Sequence, residues 1–279
     1  EGTLSVGLRA RIDYGAFPHD PSRAHGIRFE NILFDSPVGQ FEGWYIDGND
    51  PTWVIFIHGH RTGLAEALRI LPLMVKLQLP SLAIKYRNDY GAPRDDSDFH
   101  WFGLTEWEDL EAAVKYGIDH GAMQFVLVGY SMGGSIVMNF LYKSDLATKV
   151  AGIILDSPML DLNATVDLAA ARRHFPNTVI ALAKRLSTIR FGVQWDMLNY
   201  LQNIHLIEVP ILLLHSESDN LVPVSTSDCL ASSRPNTVVY KRFDGAPHGG
   251  IWNTEKRIYE QCVQKFLEEL IGPVKIDEL

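Results

Sequence analysis

Ser131 stands at the centre of Gly129-Tyr130-Ser131-Met132-Gly133. A serine framed by glycines two before and two after is suited to nucleophilic attack on an acyl carbon, provided a strand leads in and a helix leads out. The glycines leave room for a sharp, strained turn that pushes the hydroxyl clear of the backbone. The flanks meet that condition, with the apolar run Phe125–Val128 before it and an amphipathic stretch from Met132 after it. The hydroxyl needs a base. Of the ten histidines, His248, in Gly245-Ala-Pro-His-Gly-Gly250, sits in a loop between a last strand and a last helix. The imidazole in turn needs a carboxylate to fix its tautomer and stabilise its cation. Asp219, in His215-Ser-Glu-Ser-Asp-Asn-Leu-Val-Pro223, supplies it most naturally; Asp156, in Asp156-Ser-Pro158, is the rival and Glu217 a third choice. A tetrahedral oxyanion also needs donors. The N–H of Met132, at a helix start, is one expectation, and the N–H of His60, in His58-Gly-His-Arg61, is the other. The two histidines of His58-Gly-His60 have no Asp, Glu or Cys beside them to complete a metal set. Neither G-x-G-x-x-G nor a G-K-[ST] ending occurs at these glycines, so no metal and no cofactor is expected.

These residues need elements to carry them. Ile27–Phe34 and Gln40–Ile46 alternate in polarity around Asp35-Ser-Pro-Val-Gly39, which predicts an antiparallel hairpin. From Thr52 onward the strands become nearly continuous apolar runs: Trp53–Ile57, Leu82–Tyr86, Phe125–Val128, Val150–Leu155, Ile211–Leu214 and Val238–Phe243. Helix-length segments near Gly63–Leu79, Thr105–His120 and Met132–Tyr142 separate the first four, and Thr254–Leu270 closes the chain. Apolar strands alternating with helices predict a mostly parallel sheet covered on both faces. Thr105-Glu-Trp-Glu108 has the spacing of a capping box. The first 26 residues, with Pro18 and Pro21, read as irregular.

One interval is too long. About fifty residues separate Asp156 from Val209, where a crossover needs roughly a dozen. An inserted helical cap is therefore expected over 158–205, leaving 1–157 and 206–279 as the core. Thr178–Ile189 places Leu182, Leu186 and Ile189 on one helical face, which should bury over Ser131 as a roof. Phe175, Leu182, Leu186, Phe191 and Trp195 are the candidate pocket lining. From Leu168 to Trp195 there is no acidic residue, but Arg172, Arg173, Lys184, Arg185 and Arg190 are present. That reads as a solvated basic face, or as a lid attracting anionic substrates or a lipid surface.

Composition narrows the classes. The 279 residues fit one large domain, with 46% hydrophobic and 21% charged residues. A net charge of −9 argues against nucleic acid as a partner. No apolar run reaches the 18 or so residues of a membrane span, so no integral membrane segment is expected. Cys229 and Cys262 fall in helical segments and read as small buried residues. The chain begins at Glu1, which leaves room for a removed leader or anchor; a cytoplasmic location is slightly favoured, and the oligomeric state is left open. Lys275-Ile-Asp-Glu-Leu279 resembles an ER-retention tetrapeptide with Ile for Lys, and reads as an ordinary acidic end without bearing on the chemistry.

Residues 52–270 resemble the α/β-hydrolase superfamily: a His-Gly segment at 58–60, a nucleophile elbow at 129–133, an acid loop at 219–223 and a late histidine at 248, in the family's order. Tyr86-Arg87-Asn88, Trp107-Glu-Asp109 and Asp156-Ser-Pro158 are similar to the esterase and prolyl-oligopeptidase-like branches, where the Tyr-Arg pair is usually structural. His60-Arg61 departs from the glycine run of lipase-like members. The resemblance implies an α/β-hydrolase fold and a serine hydrolase that cleaves a small-molecule carboxylic ester through Ser131, His248 and Asp219. An amidase, peptidase or acyl thioesterase would use the same groups, and a non-catalytic binding module is the reading from a different class.

Overall fold

The computed structural model describes Phe17 and residues 20–272. Eight strands form one sheet: β1 (Glu30–Ser36), β2 (Gly39–Ile46), β3 (Thr52–Ile57), β4 (Ser81–Ile84), β5 (Gln124–Tyr130), β6 (Val150–Asp156), β7 (Ile211–Ser216) and β8 (Val238–Phe243). Their order is β1-β2-β4-β3-β5-β6-β7-β8. The β1–β2 and β2–β4 pairings are antiparallel and all the others parallel. This is the α/β-hydrolase fold, with the expected N-terminal hairpin. The helices are α1 (Pro21–His25), α2 (Leu71–Lys76), α3 (Trp107–Asp119), α4 (Met132–Lys143), α5 (Leu162–Arg172), α6 (Asn177–Phe191), α7 (Val224–Ser233), α8 (Ile251–Thr254) and α9 (Lys256–Ile271).

The sheet is buried from both sides because its central strands are apolar on both faces. In β3, Trp53, Ile55 and Ile57 pack with Leu110 and Ala113 of α3 and Ile136 of α4. Val54 and Phe56 pack on the other face with Met74 of α2 and Tyr259 and Val263 of α9. This sandwich fixes the strand ends from which the chemistry-bearing loops emerge.

Local details depart from expectation. Residues 21–25 form a helical turn, whose N-cap Asp20 accepts from the Arg23 N–H; the rest of the irregular N-terminus lies outside the described residues, as does Lys275–Leu279. The capping box is not made. Thr105 Oγ1 is buried without a hydrogen-bond partner among the described residues, and Glu106 instead turns back to accept the N–H groups of Trp101 at 2.6 Å and Gly103 at 2.9 Å. That carboxyl tightens the loop before α3. The closing helix is two pieces, α8 and α9, broken at Glu255, where φ −128° and ψ 44° leave the helical region. Cys229 is exposed and Cys262 half-buried, since α7 turns Thr226, Ser227 and Leu230 inward.

Between β6 and β7 lie α5, α6 and two short 3-10 turns. Leu198 and Leu162 join Met159 and Val222 in a small apolar cluster that anchors this segment. The expected burial of Leu182, Leu186 and Ile189 does not occur: they are 58%, 54% and 73% exposed. Helix α6 turns its Ile180, Lys184 and Ser187 face inward instead. Lys184 Nζ pairs with Asp167 of α5 at 2.6 Å, and the Trp195 indole N–H donates to the Lys184 carbonyl at 3.1 Å. Polar partners, absent from any periodicity argument, choose the face. Among the described residues no helix is long and apolar enough to cross a membrane.

Candidate active site

Ser131 joins β5 to α4 at φ 49° and ψ −113°, a region sparsely populated for any residue with a side chain and costing about 1–3 kcal/mol. Backbone bonds hold it there. Ser131 N donates to the Asp156 carbonyl, and the Ser131 carbonyl accepts from Gly134 and Met159, each at 3.0 Å. The flanking glycines are required by close approach. A Cβ on Gly133 would lie 2.1 Å from the Ile57 carbonyl oxygen of β3, and one on Gly129 would lie 2.8 Å from the Gly133 backbone. Strand, turn and helix can nest this tightly only without those side chains.

The loops after β7 and β8 bring the other two residues to the serine. His248 Nε2 lies 2.9 Å from Ser131 Oγ, and His248 Nδ1 lies 2.7 Å from Asp219 Oδ2. Burial alone would raise the Asp219 carboxyl, but hydrogen bonds from His215 and His248 outweigh it and hold the group well below the usual carboxylate range. An ionised carboxylate only accepts. His248 Nδ1 must therefore donate, which leaves Nε2 free to take the Ser131 proton. Asp219 Oδ1 accepts the N–H groups of Leu221 and Val222, both at 2.8 Å. His215 Nε2 donates to Oδ2 at 3.1 Å, and its Nδ1 is set by Ser227 Oγ at 2.7 Å. His215 and Ser227 escaped the sequence reading, although His215 lies four residues before Asp219.

The two rival carboxylates are placed elsewhere. Asp156 ends β6, fully buried, and accepts from Tyr259 Oη at 3.0 Å and Ser157 Oγ at 2.9 Å. Burial raises its pKa. Glu217 is exposed and pairs with Arg242 at 2.9 Å.

The loop after β3 is held by a second buried network. His58 Nε2 lies 2.8 Å from Asp89 Oδ2 and His58 Nδ1 lies 2.7 Å from the Gly59 carbonyl. Burial opposes charge on His58, but the Asp89 and Gly59 bonds win and raise its pKa. Both ring nitrogens face acceptors, so both donate. Burial would raise Asp89 as well, yet His100 Nε2, 3.4 Å from Oδ1, and the His58 hydrogen bond lower it to about 2. The Gly59 N–H is taken by Glu66 at 2.7 Å. The amides of Met132 and His60 make no hydrogen bond to another described residue. The His60 ring stands edge-on to His100 at 5.2 Å. Burial, His100 and Arg61 lower its pKa to about 4. Arg87 forms a bidentate pair with Asp109, through Nε at 2.8 Å and Nη2 at 2.9 Å, a structural tie from β4 to α3.

A cavity of about 620 Å3 opens at Ser131, lined also by His60, Arg69, Tyr130, Ser157 and His248. None of Phe175, Leu182, Leu186, Phe191 and Trp195 is among its lining residues. The first four are at least half exposed and Trp195 is partly buried against the anchoring cluster, because α6 packs through Lys184 rather than through its leucines. Arg69 and Tyr130, which do line it, gave no signal in the sequence. No cluster of three or more His, Cys, Asp or Glu among the described residues could hold a metal ion. The arrangement can pass a proton from a strained serine to an oriented imidazole beside an ionised carboxylate, the requirement for covalent acyl transfer.

Known proteins agree with this architecture. The Bacillus subtilis uncharacterized protein YqkD is 22% identical over 275 residues, covering 94% of this chain and 89% of its own. The esterase Pf2001 of Pyrococcus furiosus superposes with a TM-score of 0.73 at 19% identity, covering 91% of this chain and 96% of that one. A puromycin-hydrolyzing peptidase of Mycobacterium tuberculosis gives a TM-score of 0.70 at 18% identity, covering 88% of this chain but 40% of that one. The family model described as "Alpha/beta hydrolase family" matches residues 54–257. With that match spanning most of its length, over the strands and loops that carry Ser131, Asp219 and His248, the chain belongs to the alpha/beta hydrolase family.

Proposed function

We propose that the protein is a serine hydrolase acting on carboxylic esters. The observation that carries this reading is the unbroken line Ser131 Oγ, His248 and Asp219, at 2.9 Å and 2.7 Å, on a strained elbow. His248 takes the Ser131 proton as Oγ attacks the acyl carbon. The Met132 and His60 N–H groups receive the oxyanion. His248 then gives its proton to the departing alcohol, leaving an acyl-enzyme. Water, deprotonated by His248, attacks that ester, and the acid leaves as the serine recovers its proton. Asp219 keeps the imidazole in one tautomer and balances its positive charge.

The similar solved structures include both an esterase and a puromycin-hydrolyzing peptidase, so an amidase using the same three residues is the second reading. No residue of 158–205 lines the cavity at Ser131. Initial rates on p-nitrophenyl esters of increasing acyl length, against matching p-nitroanilides, test the reading. Ester turnover that disappears in Ser131→Ala, with anilides cleaved much more slowly, is expected. Faster anilide cleavage would replace the ester reading by the amidase one, and ester turnover that survives Ser131→Ala would end both.

A further inference from the structure

Helix α6 turns an apolar stripe to solvent. Val179, Leu182, Leu186 and Ile189, spaced i, i+3, i+7 and i+10, are 49%, 58%, 54% and 73% exposed. At 3.6 residues per turn they fall within about 80° of arc, with Arg185 on one side of the stripe and Arg190 on the other. An ordinary surface helix shows the reverse, with apolar residues inside and charges out. The segment is also electrostatically apart from the rest. Leu168 to Trp195 holds five basic residues and no acidic one, in a chain of net charge −9.

We infer that this face docks on an anionic lipid bilayer. A helix lying in the interface plane presents an apolar stripe to the acyl chains and flanking cations to the headgroup phosphates, the pattern found on α6. A second copy of the chain fits less well. A two-fold contact through this stripe would bring Arg185 and Arg190 toward the same two residues of the other copy, like charge against like. Anionic headgroups satisfy both the stripe and its arginine borders. At the end of α6 the Phe191 ring meets Phe99 edge-on at 5.7 Å. Phe99 lines a groove of about 770 Å3 that shares His60 and Thr62 with the cavity at Ser131. Docking through α6 therefore sets the bilayer beside the groove that leads to the nucleophile.

Docking needs no chemistry at Ser131, so it stands or falls apart from the hydrolase reading. The test uses full-length Ser131→Ala protein, which cannot turn over lipid. It is co-sedimented with vesicles of phosphatidylcholine alone, or with roughly one third phosphatidylglycerol, at low and high salt. At least tenfold tighter binding to the anionic vesicles at low salt is expected, weakening as salt rises. Val179→Asp with Ile189→Asp should reduce it tenfold or more. Arg185→Gln with Arg190→Gln should also reduce it by roughly tenfold or more, since each basic residue at an anionic surface contributes about fivefold. Circular dichroism checks that the variants keep their helix content. Equal or absent binding to the two vesicle types, or binding unchanged in either double variant, would overturn the proposal. So would sedimentation velocity showing a dimer that Ile189→Asp dissociates, which would make a second copy the occupant.

Discussion

Two aspartates lie at or just beyond the ends of adjacent parallel strands of one sheet, and the protein treats them oppositely. Asp156, at the tip of β6, is walled in beside Tyr259 and Ser157, and burial raises its pKa. Asp219, just past β7, is equally removed from solvent at its side chain, yet two imidazoles and two backbone N–H groups keep it ionised. The difference lies in the donors. A loop that folds back on itself, as 219–223 does, aims N–H groups at its own first side chain, while a residue within the last strand position spends its backbone on the ladder. Burial excludes water around both carboxyls, but only the loop supplies the charge-stabilising bonds that a histidine partner needs.

The largest effect should come from exchanging the carboxyls for amides. Asp219→Asn should cut ester turnover by about 10⁴-fold, because the amide can stabilise the wrong imidazole tautomer. Asp156→Asn should leave turnover within about tenfold, since it touches neither His248 nor Ser131 Oγ. Initial rates with folded variants decide this, and the reverse order would show that Asp156 is the working acid.

Next in size is His215→Gln. Losing one of the two imidazole bonds to Asp219 should lower kcat by roughly tenfold with KM nearly unchanged, as for a group that acts through another. An unchanged kcat would mean that His215 contributes packing alone.

Stability should respond to pH with opposite signs at the two kinds of carboxyl. Asp219 and Asp89 are lowered on folding, Asp89 to about 2, so their contributions are full above the unfolded pKa of about 4 and are lost as pH falls toward 2. Asp156 is raised, so its contribution is full below about 4 and is lost as pH rises through its folded value. Melting temperature of Asp156→Asn should therefore gain on the wild type as pH rises from about 4. A constant difference between the two proteins would contradict the assignment.

The smallest expected effect is Tyr259→Phe. Removing the hydroxyl that donates to Asp156 should cost about 1–2 kcal/mol in denaturant unfolding while kcat stays as it was. A loss of turnover would tie the β6 end to the chemistry after all.

What the sequence made legible follows from where constraint is local. The elbow at Ser131 could be read because close backbone approach leaves only glycine possible at 129 and 133. The central strands could be read because burial on both faces leaves continuous apolar runs. The contacts that decide finer questions join residues far apart in the chain: the His58–Asp89 hydrogen bond, the Arg69 guanidinium over the Tyr130 ring, and the Lys184–Asp167 ion pair. Periodicity located the stripe on α6 correctly as a stripe, but a single helix does not reveal which of its faces meets the protein. Thr105 shows the same limit at short range. Its spacing to Glu108 fits a cap, and the neighbouring Glu106 captured the loop amides instead.

The central claim is that Ser131 forms the covalent intermediate. Reaction with a fluorophosphonate, followed by intact-mass measurement and peptide mapping, tests it most directly. The account predicts one adduct per chain, carried by Ser131, absent in Ser131→Ala and strongly slowed in His248→Ala. Labelling at another serine, such as Ser157 or Ser218, or a folded wild-type protein that takes no label, would contradict it.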